Sequence, residues 1–197
     1  MPPLPIVHIN GWPGIGKLTI ARKIIALLGG SHDARLVHNH LLIDPVDTIL
    51  SRNSPSYQTY RRNLRAIVFK AIATVPETFD SIYVFTDFQT DNELGKSVTN
   101  EYAEVANQRG CAFVPIILSC SLEENRRRIT SAGRLDADGR AGKLTDPEHL
   151  VAMRGRGEIR QFQDNPHFLN LDVTALDAQA AAQNIVDHLH RVIQGGN

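Results

Sequence analysis

Several features are scarce in this sequence of 197 residues. Its two cysteines, Cys111 and Cys120, are too few for the disulfide framework of a small secreted domain. They flank an apolar run that reads as a buried strand, and no His/Cys cluster with metal-ligand spacing lies near them, so reduced core thiols are expected. Neither sign of charge is in excess, because 21 Lys and Arg balance 21 Asp and Glu. That balance removes the overall field that would favour a nucleic-acid backbone or an anionic membrane as partner. No apolar run approaches the roughly 18 residues needed to span a bilayer, and "MPPLPIVHIN" has neither a basic region nor a signal-type apolar core. The expectation is a cytoplasmic protein with one α/β domain over 1–197.

What the chain does have is regular alternation of apolar strand-like runs and helical patterns, the mark of βαβ units around a mainly parallel sheet. Five strands are expected, at 5–10, 35–39, 81–86, 112–118 and 168–173. After the first of them, Ile20, Ile24, Leu27 and Leu28 recur at helical spacing until Gly29-Gly30 supplies a stop. Further helices are expected at 57–74, 92–109, 121–131, 146–161 and 175–193. The stretch "SAGRLDADGRAGKL", 131–144, has no apolar periodicity and reads as a mobile surface segment between two helices.

Between the first strand and its helix stands "GWPGIGKLT", residues 11–19. Gly11, Gly16 and Lys17 fit the G-x-x-x-x-G-K phosphate loop, but Leu18 stands where a hydroxyl is expected and Thr19 follows one residue later. Such a loop turns backbone N–H groups inward around phosphate oxygens, the new helix presents its positive end, and the lysine reaches the outer phosphates. Gly14 and Gly16 permit backbone angles and close approach that a Cβ would hinder. G-x-x-G-x-G-K-x-T arises by chance in roughly one chain in several thousand of this length, and this copy has the right strand before it and helix after it. The bland alternative, a glycine-rich turn, is therefore set aside. Gly11, Trp12, Pro13, Gly14, Ile15, Gly16, Lys17, Leu18 and Thr19 are the expected nucleotide-binding run.

At these residues the chain resembles the P-loop small-molecule and nucleotide kinases, which include adenylate kinase, shikimate kinase, gluconate kinase and chloramphenicol phosphotransferase. The loop is most similar to the G-x-P-G-x-G-K-x-T form of adenylate kinases, which also carries its Thr one residue late. The resemblance implies a P-loop NTPase three-layer sandwich with a five-stranded mainly parallel sheet, a substrate-side helical segment at 40–75 and a mobile lid at 131–146. It implies ATP and Mg2+ as cofactors, with Leu18 packed beneath the loop and Thr19 at a phosphate or at the metal through water. "LSCSLEENRRRI" resembles the passage that sets an arginine against the adenine or phosphates, with Arg128 the best match and Arg127 the alternative. "GRLDADGR" corresponds to the lid, with Arg134 or Arg140 over the transferred group, and Val173 and Thr174 fall near the base. Arginines of this kind position and neutralise charge, which is most of what phosphoryl transfer asks of a protein.

The family's acceptor binds over the carboxyl ends of the strands, next to the helical segment after the second strand. Where shikimate kinase and chloramphenicol phosphotransferase carry a carboxylate, this chain aligns Asn39, which orients a hydroxyl but takes no proton. Two acids are candidates to substitute. Asp44 precedes Pro45, where a turn or cap is the plainer role; Asp87 ends the third strand, where P-loop proteins often hold an acid that binds magnesium or takes the acceptor proton. His38 and His40 are further candidates, but alternation along the strand sets them on one face, and a buried or surface role suits them better. Arg61, Arg62 and Arg65, interleaved with Tyr57 and Tyr60, form a basic face for an anionic acceptor or a solvated surface. The expected sets are thus Lys17, Asp87, Arg134 and Arg140 for catalysis, Asn39, Asp44 and Arg65 for the substrate, and Thr19 with Asp87 for the metal. The predicted activity is transfer of the γ-phosphoryl group of ATP to a small molecule. A nucleotide-gated regulatory ATPase and a nucleic-acid-end kinase are the rivals, the latter disfavoured by the balanced charge.

Overall fold

The computed structural model describes residues 2–131 and 144–195. Five strands form one sheet: β1 (Ile6–Gly11), β2 (Asp33–His38), β3 (Ser81–Thr86), β4 (Phe113–Ser119) and β5 (Leu169–Asp172). Every pairing is parallel and the order is β2-β3-β1-β4-β5. β1 is therefore central, with the chain running to one side for β2 and to the other for β4. Such reversal of strand order opens a crevice at the carboxyl ends, and the phosphate loop leaves β1 at that point.

Alternation along β1 explains the two layers of helices. Val7 and Ile9 face a core shared with Ile20, Ala21, Ile24 and Leu28 of α1 (Lys17–Leu28) and Ala181, Ala182, Ile185 and Leu189 of the last helix. Ile6 faces the opposite core, built with Phe69, Ile72 and Ala73 and with Val98, Tyr102 and Val105. Those two groups belong to α3 (Tyr57–Thr74) and α4 (Glu93–Arg109), and α7 is Ala178–Gly195. The predicted parallel sheet between two helical layers is what the chain forms.

One helix lies in the segment that only the resemblance implied to be helical, and another stops short of its expected end. His40–Asp47 forms α2, with Pro45 inside it. Asp44, expected in a turn before that proline, is thus helical, and Thr48 N–H closes the turn on the Asp44 carbonyl at 3.0 Å. After α5 (Leu122–Ile129), the helix expected at 146–161 appears as α6 (Pro147–Gly155) and stops early. Residues 156–168 then run as an irregular strap back toward β5, bridged to the β3–α4 loop by an antiparallel Thr90–Ile159 pair. Gly155 and Gly157 mark where helical propensity fails.

Candidate nucleotide and phosphoryl-transfer site

α1 begins directly at the loop, with Gly16 as its N-cap in the left-handed region at φ 107°, no side-chain cap and no acid in its first turn. Its first N–H groups and positive end are thus left for an anion. By contrast α4, α5 and α6 are capped by the side chains of Asn92, Ser121 and Asp146. Gly11 answers a different demand, because a Cβ there would lie 2.8 Å from the Leu118 carbonyl oxygen. Lys17 lies along the loop, its Nζ donating to the carbonyls of Gly11 at 2.5 Å and Trp12 at 3.0 Å. Leu18 is half-buried and Thr19 exposed.

The loop is braced from behind. The Trp12 indole is buried in a small cluster with Ile117, Ile129, Leu150 and Ile159, 5.5 Å from the Phe88 ring and 5.9 Å from the Arg154 guanidinium. Arg154 donates to Asn125 Oδ1 and to the Cys120 carbonyl, both at 3.1 Å, while Asn125 Nδ2 donates to the Pro13 carbonyl at 3.0 Å. Asn125 and Arg154 were not singled out from the sequence, where a lone Asn and a lone Arg on helices carry no signal.

On one side of the loop lies a cleft of about 460 Å³, lined by Gly14, Gly16, Thr19, Arg128, Leu176 and Asp177 among others. Arg128 fastens its walls together: Nε donates to Glu124 at 2.6 Å, Nη1 to the Ile15 carbonyl at 2.9 Å, and Nη2 to the carbonyls of Val173 at 2.6 Å and Leu176 at 3.3 Å. Arg127 and then Arg128 hold the Glu124 carboxyl down at about 2. All three nitrogens of Arg128 are engaged by protein, which leaves the planar face of the guanidinium as its remaining contact surface. Val173 is buried, and the Thr174 hydroxyl accepts from the Ser121 N–H at 2.9 Å.

On the opposite side stands Asp87, buried just past the end of β3. Its Oδ1 accepts from the Phe88 N–H at 2.8 Å, and its Oδ2 accepts from Gln89 Nε2 at 2.9 Å and from the Tyr102 hydroxyl at 3.2 Å. Burial, with Asp87 next, pushes the Tyr102 hydroxyl well above its ordinary pKa. His8 lies beneath, fully buried, its ring 4.4 Å from that of Tyr102, and both of its nitrogens lack a hydrogen-bond partner. Burial lowers its pKa to about 4, opposed by Asp87 and assisted by Lys17. Asn10 is likewise buried, and it joins the loop to Gln89 and to the strap. Two polar side chains at alternate positions of an apolar strand were the available sign of both residues.

The expected acceptor residues are less gathered. Arg65 is buried on α3, its Nε and Nη2 donating to Glu101 at 2.6 and 2.9 Å, so it is not part of a solvated face. Asp44 is 62% exposed and pairs with His40 Nδ1 at 2.9 Å. Asn39 is half-buried just before α2, its carbonyl accepting from the Leu42 N–H at 3.0 Å. Arg61 has its Nε buried without a hydrogen-bond partner and its guanidinium 5.8 Å from the Tyr57 ring. Thr19 lines the cleft on the Arg128 side, and Asp87 Oδ2 accepts from the Tyr102 hydroxyl of α4. Arg134 and Arg140 lie outside the described residues, as does most of the expected lid. Among the described residues no helix is long and apolar enough to cross a membrane, and no group of three His, Cys, Asp or Glu could hold a metal ion.

No family model and no curated protein matches the chain, but many solved structures do. It is similar to the APS kinase of Mycobacterium tuberculosis, solved with AMPPNP and APS, at 16% identity over 96% of this chain and 99% of that one, with a TM-score of 0.63. A gluconokinase from Sinorhizobium meliloti is 14% identical over 98% of this chain and 95% of its own, with a TM-score of 0.61. Kti12 from Chaetomium thermophilum, solved with ADP-AlF3, is 16% identical over 96% and 99% of the two chains, with a TM-score of 0.59. Likeness at these identities is likeness of architecture, and the chain has the fold of the P-loop small-molecule kinases.

Proposed function

We propose that this protein is an ATP-dependent phosphotransferase that moves the γ-phosphoryl group to a small-molecule acceptor. The observation that carries the reading is the uncapped start of α1 behind Gly14, Gly16 and Lys17, with a buried carboxylate, Asp87, across the central strand from the nucleotide cleft. Backbone N–H groups of the loop cradle the phosphates, and Lys17 leaves its own loop's carbonyls to follow the charge that develops on the transferred group. Asp87 keeps acceptor capacity on Oδ1 beyond the Phe88 N–H, enough to orient a hydroxyl or a water. A loose transition state asks little of a base before the bond to the leaving oxygen is largely broken, so an orienting acid is sufficient.

Magnesium suits this site in part. Asp87 supplies the hard oxygen it prefers, and Thr19 stands on the phosphate side of the cleft. When bound, the ion would neutralise phosphate charge. Arg134 and Arg140 are proposed to complete the site from the lid at 131–146, and 1–197 is proposed as one kinase-like domain.

The test is ADP release across a panel of sugars, aminoglycosides, nucleotides, pantothenate-like compounds and short oligonucleotides. Lys17→Ala is expected to stay folded and to lose about a hundredfold in turnover, about 2.7 kcal/mol in barrier; a folded variant with full turnover would sink the reading. The likeness to Kti12, solved with ADP-AlF3, supports nucleotide binding as such, and the alternative is a nucleotide-gated regulatory protein without a small-molecule acceptor. Nucleotide binding with no acceptor-stimulated ADP release from any panel member would select it.

A further inference from the structure

Among the described residues, the Asp87 carboxylate is held by three donors. Oδ1 accepts from the Phe88 N–H at 2.8 Å, and Oδ2 accepts from Gln89 Nε2 at 2.9 Å and from the Tyr102 hydroxyl at 3.2 Å. The χ2 torsion of an aspartate is broad, so its own covalent geometry does not fix the plane of the carboxylate; the donors do. Phe88 and Gln89 are its immediate neighbours in the chain and travel with it. Tyr102 alone belongs to another element, α4, and it is 2% exposed. Its ring lies 4.4 Å from that of His8, 4.8 Å from Phe69 and 5.2 Å from Phe85, contacts that a phenylalanine ring would make equally well. The hydroxyl is what sets it apart, and a hydroxyl in such surroundings is costly unless it is bonded. Its bond is to Asp87.

From this arrangement we infer that Tyr102 is a positioning residue for phosphoryl transfer: with the Gln89 amide it occupies Oδ2 and anchors the Asp87 carboxylate to α4, leaving Oδ1 to orient the acceptor. The inference rests on the phosphotransferase reading above and deepens it. Tyr102 touches no substrate in this role. Burial, with Asp87 next, pushes the phenol well above its ordinary pKa, so it stays a donor. Without the hydroxyl, both remaining donors come from the acid's own loop, and the carboxylate is no longer tied to the helical layer beside the sheet. Loose placement of an orienting group lowers the fraction of bound complexes that are aligned, which is a loss in turnover rather than in nucleotide binding.

Release of ADP from saturating Mg-ATP, with water as the acceptor and again with the panel member that gives the fastest release, tests this in the wild type, Tyr102→Phe, Asp87→Asn and the double variant. Tyr102→Phe is expected to stay folded, because its ring contacts remain, and to lose about tenfold in kcat with the KM for ATP within about twofold. The nucleotide cleft lies on the other side of β1 and is undisturbed. In the Asp87→Asn background the second substitution is expected to cost less than about twofold, because the carboxylate that the hydroxyl positions is already gone. A hydroxyl that served packing alone would slow both backgrounds by the same factor. Equal factors, or full turnover in Tyr102→Phe, overturn the role of Tyr102. Absence of ADP release from the wild type with every acceptor, or equal release from the wild type and Asp87→Asn, overturns instead the reading beneath it, and the inference falls with that reading.

Discussion

His8 shows what a single side chain costs when it is placed for its neighbours. Its ring fills the space between β1 and Tyr102, but both nitrogens are buried without partners, and burial holds the folded-state pKa at about 4 against an ordinary 6.5. Between those values the unfolded chain binds a proton that the folded chain does not. The neutral ring's contribution is therefore complete above about pH 6.5 and is lost as the pH falls toward 4, with a limiting slope of about 1.4 kcal/mol per pH unit. Urea unfolding at pH 7.0 and 4.5 should show the wild type losing about 2 kcal/mol more than His8→Leu over that interval. Equal losses would mean that the imidazole is not the neutral, dry group described. In a sequence His8 is merely a polar residue in a strand, because whether it is solvated depends on α4 and the strap, which lie about 90 and 150 residues away along the chain.

At the scale of elements, α4 illustrates how position overrides propensity. Gly95 lies in its first turn, its N–H held by Asn92 Oδ1 at 2.8 Å, and a Cβ there would stand 1.9 Å from the Thr90 carbonyl oxygen. Alanine is the better helix former by about 1 kcal/mol, but a clash with backbone cannot be relieved by a rotamer change. Gly95→Ala should therefore destabilise the protein by about 2 kcal/mol or more in urea unfolding; unchanged or raised stability would show that the β3–α4 loop yields freely. The elements themselves were largely legible. The five strands were foreseen by their apolar runs, and α1, α3 and α4 by helical spacing and stop signals. α2 falls inside the helical segment at 40–75 that the resemblance implied, and its Pro45 merely removes one N–H from a helix of eight residues. The early end of α6 was missed because Ile159 and Phe162 continue an apolar pattern that in fact belongs to the strap, where both side chains pack inward. Of the site, the phosphate loop was readable because local chain geometry demands its glycines. The burial of Arg65 was not legible, because its partner, Glu101, is on another helix and nothing local to α3 announces it.

The whole molecule depends on joining its two halves at the carboxyl end of β1, and Asn10 makes that joint. Oδ1 accepts from the N–H groups of Gly11 and Gln89, each at 2.9 Å, while Nδ2 donates to the carbonyls of Gln89 at 2.9 Å and Arg160 at 3.3 Å. Three distant segments, the phosphate loop, the loop that carries Asp87 and the strap, thus share one buried amide. Because Gln89 Nε2 also donates to Asp87 Oδ2, the amide sets the acid's place relative to the phosphates. Asn10→Asp keeps the shape and the two accepted bonds but removes both donors and buries a charge. The Gln89 carbonyl keeps the Arg160 N–H at 3.1 Å, whereas the Arg160 carbonyl loses its donor, and a buried group left unsatisfied costs about 1–3 kcal/mol. Hydrogen exchange should accordingly accelerate at 88–91 and 158–160 together, by about tenfold for each 1.4 kcal/mol lost, and remain unchanged at 174–178 on the far side of the cleft. If the activity proposed above holds, turnover at saturating ATP should fall in the same variant while ADP affinity changes by less than about threefold, since the acid is displaced and the cleft is not. Acceleration confined to one of the two segments would show that Asn10 serves that segment alone, and that the acid and the strap are held independently.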